Sequence, residues 1–447
     1  MEQSGFVVGI DLGTSKIVGV LGRKNEQGVI SILAWESIPA DSCVKYGVIY
    51  NIDEATGKIR KMISLLENKT GKKIGKAYVS IAGKSLRAIE HTETKLMDSQ
   101  TPITFLDMDK MEQQAKLNKP DFFTNYSVLA PEYYLDGQYD EDPIGKTAAT
   151  LEGRYRLVIG RPNIKNNLTK SITDKAQIDI AGFIVGPVAS GALILDEADR
   201  QAGCALVDFG AGTTTLSIYK NGLLRYMTVI PFGGRTISKD VQELGFVFES
   251  AEAYKIRYGK IGKEKLKPTE GVSPDVDLRE LNKVIQLRQD EIILNVINQI
   301  KESGYGDQLE AGIIMIGGAS QLKGLDEYLA EKAQLPVKKG VAKRVYINNA
   351  ADLLQNPIFT QALGLLLFAN ENCEKKEVIA PQPVYTAPVV EQQPIRKTEE
   401  IKAEEEETVE ETHQLKKGKK EDKKQKSLFD FFEKIQNFGG TMFKEED

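Results

Sequence analysis

Residues 9–20 read GIDLGTSKIVGV, and residues 204–222 read CALVDFGAGTTTLSIYKNG. Each is a strand-like run ending in an aspartate, then a turn of glycine and hydroxyl residues, then a second strand-like run. Asp11 matches Asp208 and Gly13 matches Gly210, a separation of 197 residues (208 − 11). One glycine-rich turn between strands is most often a plain hairpin. Two copies spaced one domain apart point instead to duplicated α/β domains facing each other across a cleft. Glycines at 13, 210 and 212 let the backbone approach a ligand. Successive amides, with the hydroxyls of Thr14, Ser15, Thr213 and Thr214, can hold phosphate oxygens. Asp11, and Asp208 by the match, are candidate metal ligands, since Mg2+ takes one or two carboxylates plus waters and phosphate oxygens. Lys16 either reaches a phosphate or stays a surface strand residue.

Outward from these hairpins, the chain has 447 residues, enough for two or three domains. Only two histidines occur, His91 and His413, which nearly excludes His-based triads and zinc sites. Cys43, Cys204 and Cys373 are odd in number and far apart, so no disulfide framework is implied. A net charge of −5 argues against a general nucleic-acid binder. No apolar run is long enough to span a membrane. The start, MEQSGFVVGID, does not read as a signal peptide, so a reducing cytoplasm is expected.

Strands are predicted at Phe6–Ile10, Ile17–Leu21 and Val29–Trp35, and a helix over Asp53–Lys69 through Ile59, Met62, Ile63 and Leu66. Alternating β and α units predict an α/β fold with covered sheets. Two further elements bear on a ligand. In IIMIGGASQLKGL (313–325) an apolar strand leads through Gly317, Gly318 and Ala319 into a helix, where a flat ring could lie against the backbone. In SAEAYKIRYG (250–259) Glu252 and Lys255 share a helix face and could hold ribose hydroxyls. As a bare pair they would more often be a surface salt bridge.

From about residue 374 the composition changes. Pro and Val alternate with polar residues. Glu399–Glu411 then carries eight Glu and one Lys, and Lys416–Lys426 carries seven Lys. Such a segment cannot bury enough apolar surface to order itself, so 374–426 is expected to be a disordered tether reaching roughly 40 Å. Beyond it, Ser427 can cap a helix on which Leu428, Phe431, Phe432, Ile435 and Phe438 form one face. By composition alone this helix suits a membrane interface or a protein surface equally.

The four elements, in this order, resemble the actin-like ATPase superfamily: two phosphate hairpins, a nucleoside helix and an adenosine loop. The stretch between the hairpins narrows the resemblance. AYVSIAGKSLRAIEH (77–91) opens a unit that runs through Pro131-Glu132-Tyr133-Tyr134-Leu135-Asp136, Pro143-Ile144-Gly145 and Leu151 to AGFIVGPVASGALIL (181–195). This is similar to the FtsA family of bacterial cell-division proteins, in which a small α+β unit is inserted here. The resemblance covers about residues 5–370, and the tail with its terminal amphipathic helix also looks like this family.

The resemblance implies an actin-like fold of ribonuclease-H-like duplicated domains, with an inserted α+β subdomain and a disordered C-terminal tail. It divides the chain into subdomain 1A (1–83 and 166–200), inserted 1C (84–165), 2A (201–234 and 305–373), 2B (235–304), a linker (374–426) and a membrane-targeting helix (427–443). It implies ATP and Mg2+ between the two large domains, with Asp11, Gly13, Thr14, Ser15, Lys16, Asp208, Gly210, Gly212, Thr213, Thr214, Glu252, Lys255, Gly317, Gly318 and Ala319 at the nucleotide. It further implies head-to-tail polymerisation, capture of the FtsZ C-terminal peptide by 2B, recruitment of later division proteins, and anionic lipid as the tail's target. The place implied is the cytoplasmic side of the inner membrane, peripheral, at the septum.

Two departures from the superfamily stand out. Thr215 stands where the chaperones have Asp, and residues 187–191 (Pro-Val-Ala-Ser-Gly) offer no Gln or Glu to orient an attacking water. Water orientation matters greatly in phosphoryl transfer, so tight ATP binding with slow or negligible hydrolysis is expected. Other readings of the fold are a small-molecule kinase, a chaperone, or a pilus-assembly scaffold similar to PilM. Nothing in the sequence marks a kinase substrate pocket. No peptide-binding domain follows residue 370. The terminal helix sets the chain apart from PilM.

Overall fold

The computed structural model describes residues 6–262 and 276–375, all within one unit spanning Met1–Lys375. The chain opens with three strands, β1 (Phe6–Leu12), β2 (Lys16–Lys24) and β3 (Ile30–Pro39), joined as an antiparallel meander. They start near the predicted positions and run longer. After a small hairpin of β4 (Val44–Lys45) and β5 (Val48–Ile49) comes helix α1 (Ile52–Thr70). Asn51 caps its start by accepting the Glu54 N–H at 3.2 Å. Gly71 ends it in the left-handed conformation, φ 67°, with its N–H on the Glu67 carbonyl. The predicted face, Ile59, Met62, Ile63 and Leu66, is buried. It packs close to β2, where a Cβ on Gly19 would lie 2.7 Å from the Met62 sulfur.

Strand β6 (Lys76–Ile81) then runs parallel to β1. The chain next builds a separate layer from β7 (Arg87–Leu96), α2 (Phe105–Leu117), β8 (Thr124–Leu135), β9 (Gln138–Asp140) and β10 (Thr150–Gly160). Thr104 and Asp107 close a capping box on α2. This layer has its own core, with Met111, Val128, Leu151, Tyr155 and Leu157 at its centre. Helix α3 (Asn163–Thr169) and a π-helical turn (Lys170–Lys175) return the chain to β11 (Asp179–Val185), parallel to β6.

Helix α4 (Gly186–Ile194), with Pro187 in its first turn, is apolar on every side and leads to α5 (Glu197–Ala202) and the second half. There the plan repeats. Strands β12 (Cys204–Phe209), β13 (Thr214–Lys220) and β14 (Leu223–Ile230) form a second antiparallel meander. Helices α6 (Gly234–Gln242), α7 (Phe248–Tyr258) and α8 (Leu278–Glu302) cover its core, and β15 (Ile313–Ile316) runs parallel to β12. A 3-10 turn (Gly318–Gln321) separates β15 from α9 (Leu325–Ala333), so the expected helix begins later than the glycine pair. Then follow β16 (Val337–Lys339), β17 (Ile347–Asn348), α10 (Ala351–Gln355) and α11 (Thr360–Leu367).

The sheet orders make the duplication explicit. The first sheet runs β11-β6-β1-β2-β3-β17, and the second contains β16-β15-β12-β13-β14. In both, a meander lies beside two parallel strands on the same side. This is the α/β, actin-like architecture that the sequence predicts. The second sheet does not stop at β14. It continues through β7-β10-β8-β9, so the layer inserted after β6 joins the second half's sheet at the Thr228–Arg87 pair. Buried Arg225 and half-buried Glu132 form an ion pair beside this seam, and Arg156 Nε donates to the Arg225 carbonyl at 3.1 Å. The linker 374–426 (beyond its first two residues) and the helix face of Leu428, Phe431, Phe432, Ile435 and Phe438 lie outside the described residues. Among the described residues no helix is long and apolar enough to cross a membrane.

Candidate nucleotide cleft

The β1–β2 and β12–β13 turns face each other and line a cavity of about 960 Å³. They come together because both turns are tight. The Gly13 N–H closes on the Lys16 carbonyl at 3.0 Å, and the Gly210 N–H on the Thr213 carbonyl at 2.9 Å. These two amides are therefore spent inside the turns. The amides of Thr14, Ser15, Gly212 and Thr213 donate to no acceptor among the described residues and remain for an anion. The hairpins also touch: a Cβ on Gly212 would lie 2.5 Å from Thr14 Oγ1. That hydroxyl in turn accepts the Gly47 N–H at 3.1 Å.

Asp11 and Asp208 end their strands at corresponding places. Ser80 Oγ donates to Asp11 Oδ1 at 2.6 Å, and Gln361 Nε2 donates to the same oxygen. Burial raises the Asp11 pKa, and these two bonds act against the rise. Burial first and the Asp11 charge second push Asp208 up to about 7. Gly317, at φ 87°, follows the strand beside β12, and its Cα abuts Asp208 Oδ1 so closely that no Cβ could be placed there. Two buried carboxylates, the charge of Asp11 opposing ionisation of Asp208, in a cleft with open amides, suit a divalent cation carrying phosphate oxygens. No cluster of three or more His, Cys, Asp or Glu side chains able to hold a metal by itself occurs among the described residues.

The remaining walls come from both halves. Lys16 lines the cleft and makes no ion pair among the described residues; burial lowers its pKa, against the pull of the Glu252 charge. Glu252 and Lys255 are not the exposed pair that spacing alone favours. Lys255 Nζ is largely buried and donates at 2.8 Å to Glu252, to the Ser238 hydroxyl and to the Gly234 carbonyl. Ser238 also donates to Glu252. The pair thus knits α7 to α6 while still lining the cleft. Gly317, Gly318 and Ala319 line the opposite wall with Pro357 and Ile358.

One sequence-predicted residue falls elsewhere. Thr214 is fully buried, and its hydroxyl donates to the Phe232 carbonyl at 2.9 Å. Strand alternation turns Thr213 and Thr215 to the cleft and Thr214 to the core. The other fourteen nucleotide-site residues line the cleft. Three contributors had no signal in the turns. Ser80 is brought beside Asp11 by the parallel β1–β6 register. Gln361 arrives from α11, 350 residues further on. Arg235 donates its N–H to the Ala211 carbonyl at 2.7 Å and its guanidinium to the Asp41 carbonyl at 3.0 Å, fastening one half to the other. A polar residue one place before the end of an apolar strand, as in KAYVSI, is the one cue that could have marked Ser80.

Duplicated sheets with matched aspartate hairpins across one cleft define the class as actin-like. Among solved structures, the PilM–PilN type IV pilus biogenesis complex has this fold, with a TM-score of 0.57 and 16% identity over 81% of this chain and 97% of that one. A family model described as "Cell division protein FtsA" matches residues 205–364. Cell division protein FtsA of Pseudomonas aeruginosa is 29% identical over 380 residues, covering 82% of this chain and 90% of that protein. The Escherichia coli K12 protein of the same name is 26% identical over 387 residues, covering 82% and 91%. Over most of its length the chain is thus similar to the FtsA cell-division proteins.

Proposed function

We propose that this chain is a cell-division protein that binds ATP with Mg2+ between its two halves, polymerises head to tail, and tethers FtsZ filaments to the cytoplasmic face of the membrane at the septum. The observation that carries the nucleotide reading is the meeting of the Thr14 and Gly212 turns over Asp11 and Asp208, with Lys16 beside them making no ion pair among the described residues. The triphosphate lies between the turns, against the open amides and Lys16. The cation supplies charge neutralisation at the phosphates, and Asp11 and Asp208 hold it. The base lies toward Gly317, Gly318 and Ala319, and the ribose toward Glu252 and Lys255. The subdomain division given above is part of the proposal, with residues 235–304 taking the FtsZ C-terminal peptide and later division proteins joining the filament. The terminal helix, 427–443, takes anionic lipid. One copy binds weakly, and a polymer binds firmly through effective concentration. The matching family and relatives support the division role.

The test is titration of the purified full chain with a fluorescent ATP analogue in Mg2+, followed by liposome sedimentation with and without ATP. Saturable binding that Asp11→Ala abolishes supports the reading. No binding at any nucleotide concentration rejects it.

A further inference from the structure

We propose that Gln361 is a positioning residue for Asp11, fixing the carboxylate that faces the proposed cation. The inference rests on the nucleotide reading above and adds to it a residue outside both hairpins. Helix α11 is otherwise an apolar, buried element: Ala362, Leu363, Gly364, Leu365, Leu366 and Leu367 all lie in the core. It packs against α4, with Gly364 set directly on the Ala189 carbonyl, and against β1, where a Cβ on Gly9 would meet the Ala362 carbonyl at 3.1 Å. A helix wedged this firmly holds its one amide side chain in place. Gln361 leaves the wedge and donates to Asp11 Oδ1.

The fit around that amide is close. A Cβ on Gly186 would lie 2.5 Å from both the Gln361 Cδ and its Oε1, so the amide occupies the space a side chain at 186 would need. Residues 187–191 supply no polar group of comparable reach, and α11 brings one in from across the α4 contact. Ser80 and Gln361 both bond Oδ1, and Oδ2 takes neither bond. Two donors on one oxygen fix the carboxylate plane and leave the second oxygen to a cation. Ser80 alone gives one bond, about which the carboxylate can still turn.

The test uses the full chain and anisotropy of a fluorescent ATP analogue, titrated with Mg2+ from a chelated start. Gln361→Met keeps the length that fills the space at Gly186 and removes the donor. A lost bond to a charged group is worth about tenfold, so the Mg2+ midpoint should rise about tenfold while binding in chelator stays at the wild-type level. On an Asp11→Asn background the same change should add nothing further, which a general loosening of α11 would not reproduce. Gln361→Asn withdraws the amide by one methylene and should shift the midpoint the same way, should the methionine chain not fold. An unchanged midpoint in a wild type that binds nucleotide overturns the role of Gln361 alone. A wild type that binds no nucleotide overturns the cleft reading and this inference together.

Discussion

Gly212 and Thr14 meet across the cleft with no room between them: a Cβ on Gly212 would lie 2.5 Å from the Thr14 hydroxyl and 2.7 Å from its methyl carbon. The two residues belong to different halves of the chain, so their contact sets how closely the halves approach. Thr14 cannot simply turn away, because its hydroxyl accepts the Gly47 N–H. Gly212→Ala should push the hairpins apart and weaken binding of an ATP analogue by about tenfold or more, with little change in unfolding free energy. Adding Thr14→Ala removes the two closest atoms and should restore part of the loss. Isothermal titration of the parent and the two variants checks this.

The aspartate pair predicts a pH dependence with a definite sign. Asp208 has an ordinary value of 3.8 and stands at about 7 in the folded chain, through burial and the neighbouring Asp11 charge. The folded state therefore prefers the protonated carboxyl. Its contribution to stability is full below 3.8 and is lost as pH rises through about 7. Asp11, raised mainly by burial, works in the same direction. The melting temperature of the nucleotide-free chain should fall as pH rises from about 4 to about 7 and level off above that, and Asp208→Asn should flatten that slope. Asp107 marks the opposite case. Its bond from Lys95 holds it down to about 2, so its contribution is lost only as pH falls below the ordinary carboxylate value. Calorimetry across pH separates the two windows.

The hairpins were readable because each is local: aspartate, glycine and hydroxyls fall within a few residues, and the fold only had to bring two such turns together. The error at Thr214 came from treating the turn as continuing into β13, where alternation already decides which side chains face the cleft. Ser80, Arg235 and Gln361 were invisible for a different reason. They are ordinary residues in strand or helix contexts, and only tertiary register delivers them to the cleft, Ser80 and Gln361 to Asp11 and Arg235 to the Asp41 carbonyl. The joining of the inserted layer to the second sheet likewise depends on a few long-range contacts, Thr228 with Arg87 and Arg225 with Glu132, which leave no periodic trace.

That seam gives a stability prediction. Arg225 is buried, pairs with Glu132, and donates Nε–H to the Lys220 carbonyl at 3.0 Å. Arg225→Ala leaves Glu132 as an uncompensated charge in a mostly buried place, and should cost about 3–5 kcal/mol. The double change Arg225→Ala with Glu132→Gln should cost clearly less than the sum of the two single changes. Urea unfolding of the four chains measures the cycle.

The proposed anchor is testable without disturbing the cleft. Burying one Phe fully contributes roughly 1.5–3 kcal/mol, and interfacial burial contributes less. Phe431→Glu or Phe432→Glu removes that gain and adds a charge repelled by anionic lipid. Either variant should stay in the supernatant when sedimented with anionic liposomes, while binding an ATP analogue as the parent does. Co-sedimentation of both variants at the parent's level would reject this helix as the anchor.

The most direct measurement is a crystal structure grown with magnesium and a non-hydrolysable ATP analogue. The account predicts a triphosphate and one cation between Asp11 and Asp208, with the base against Gly317 and Gly318. Density for the analogue at any other place, with the gap between those two aspartates empty, would contradict it.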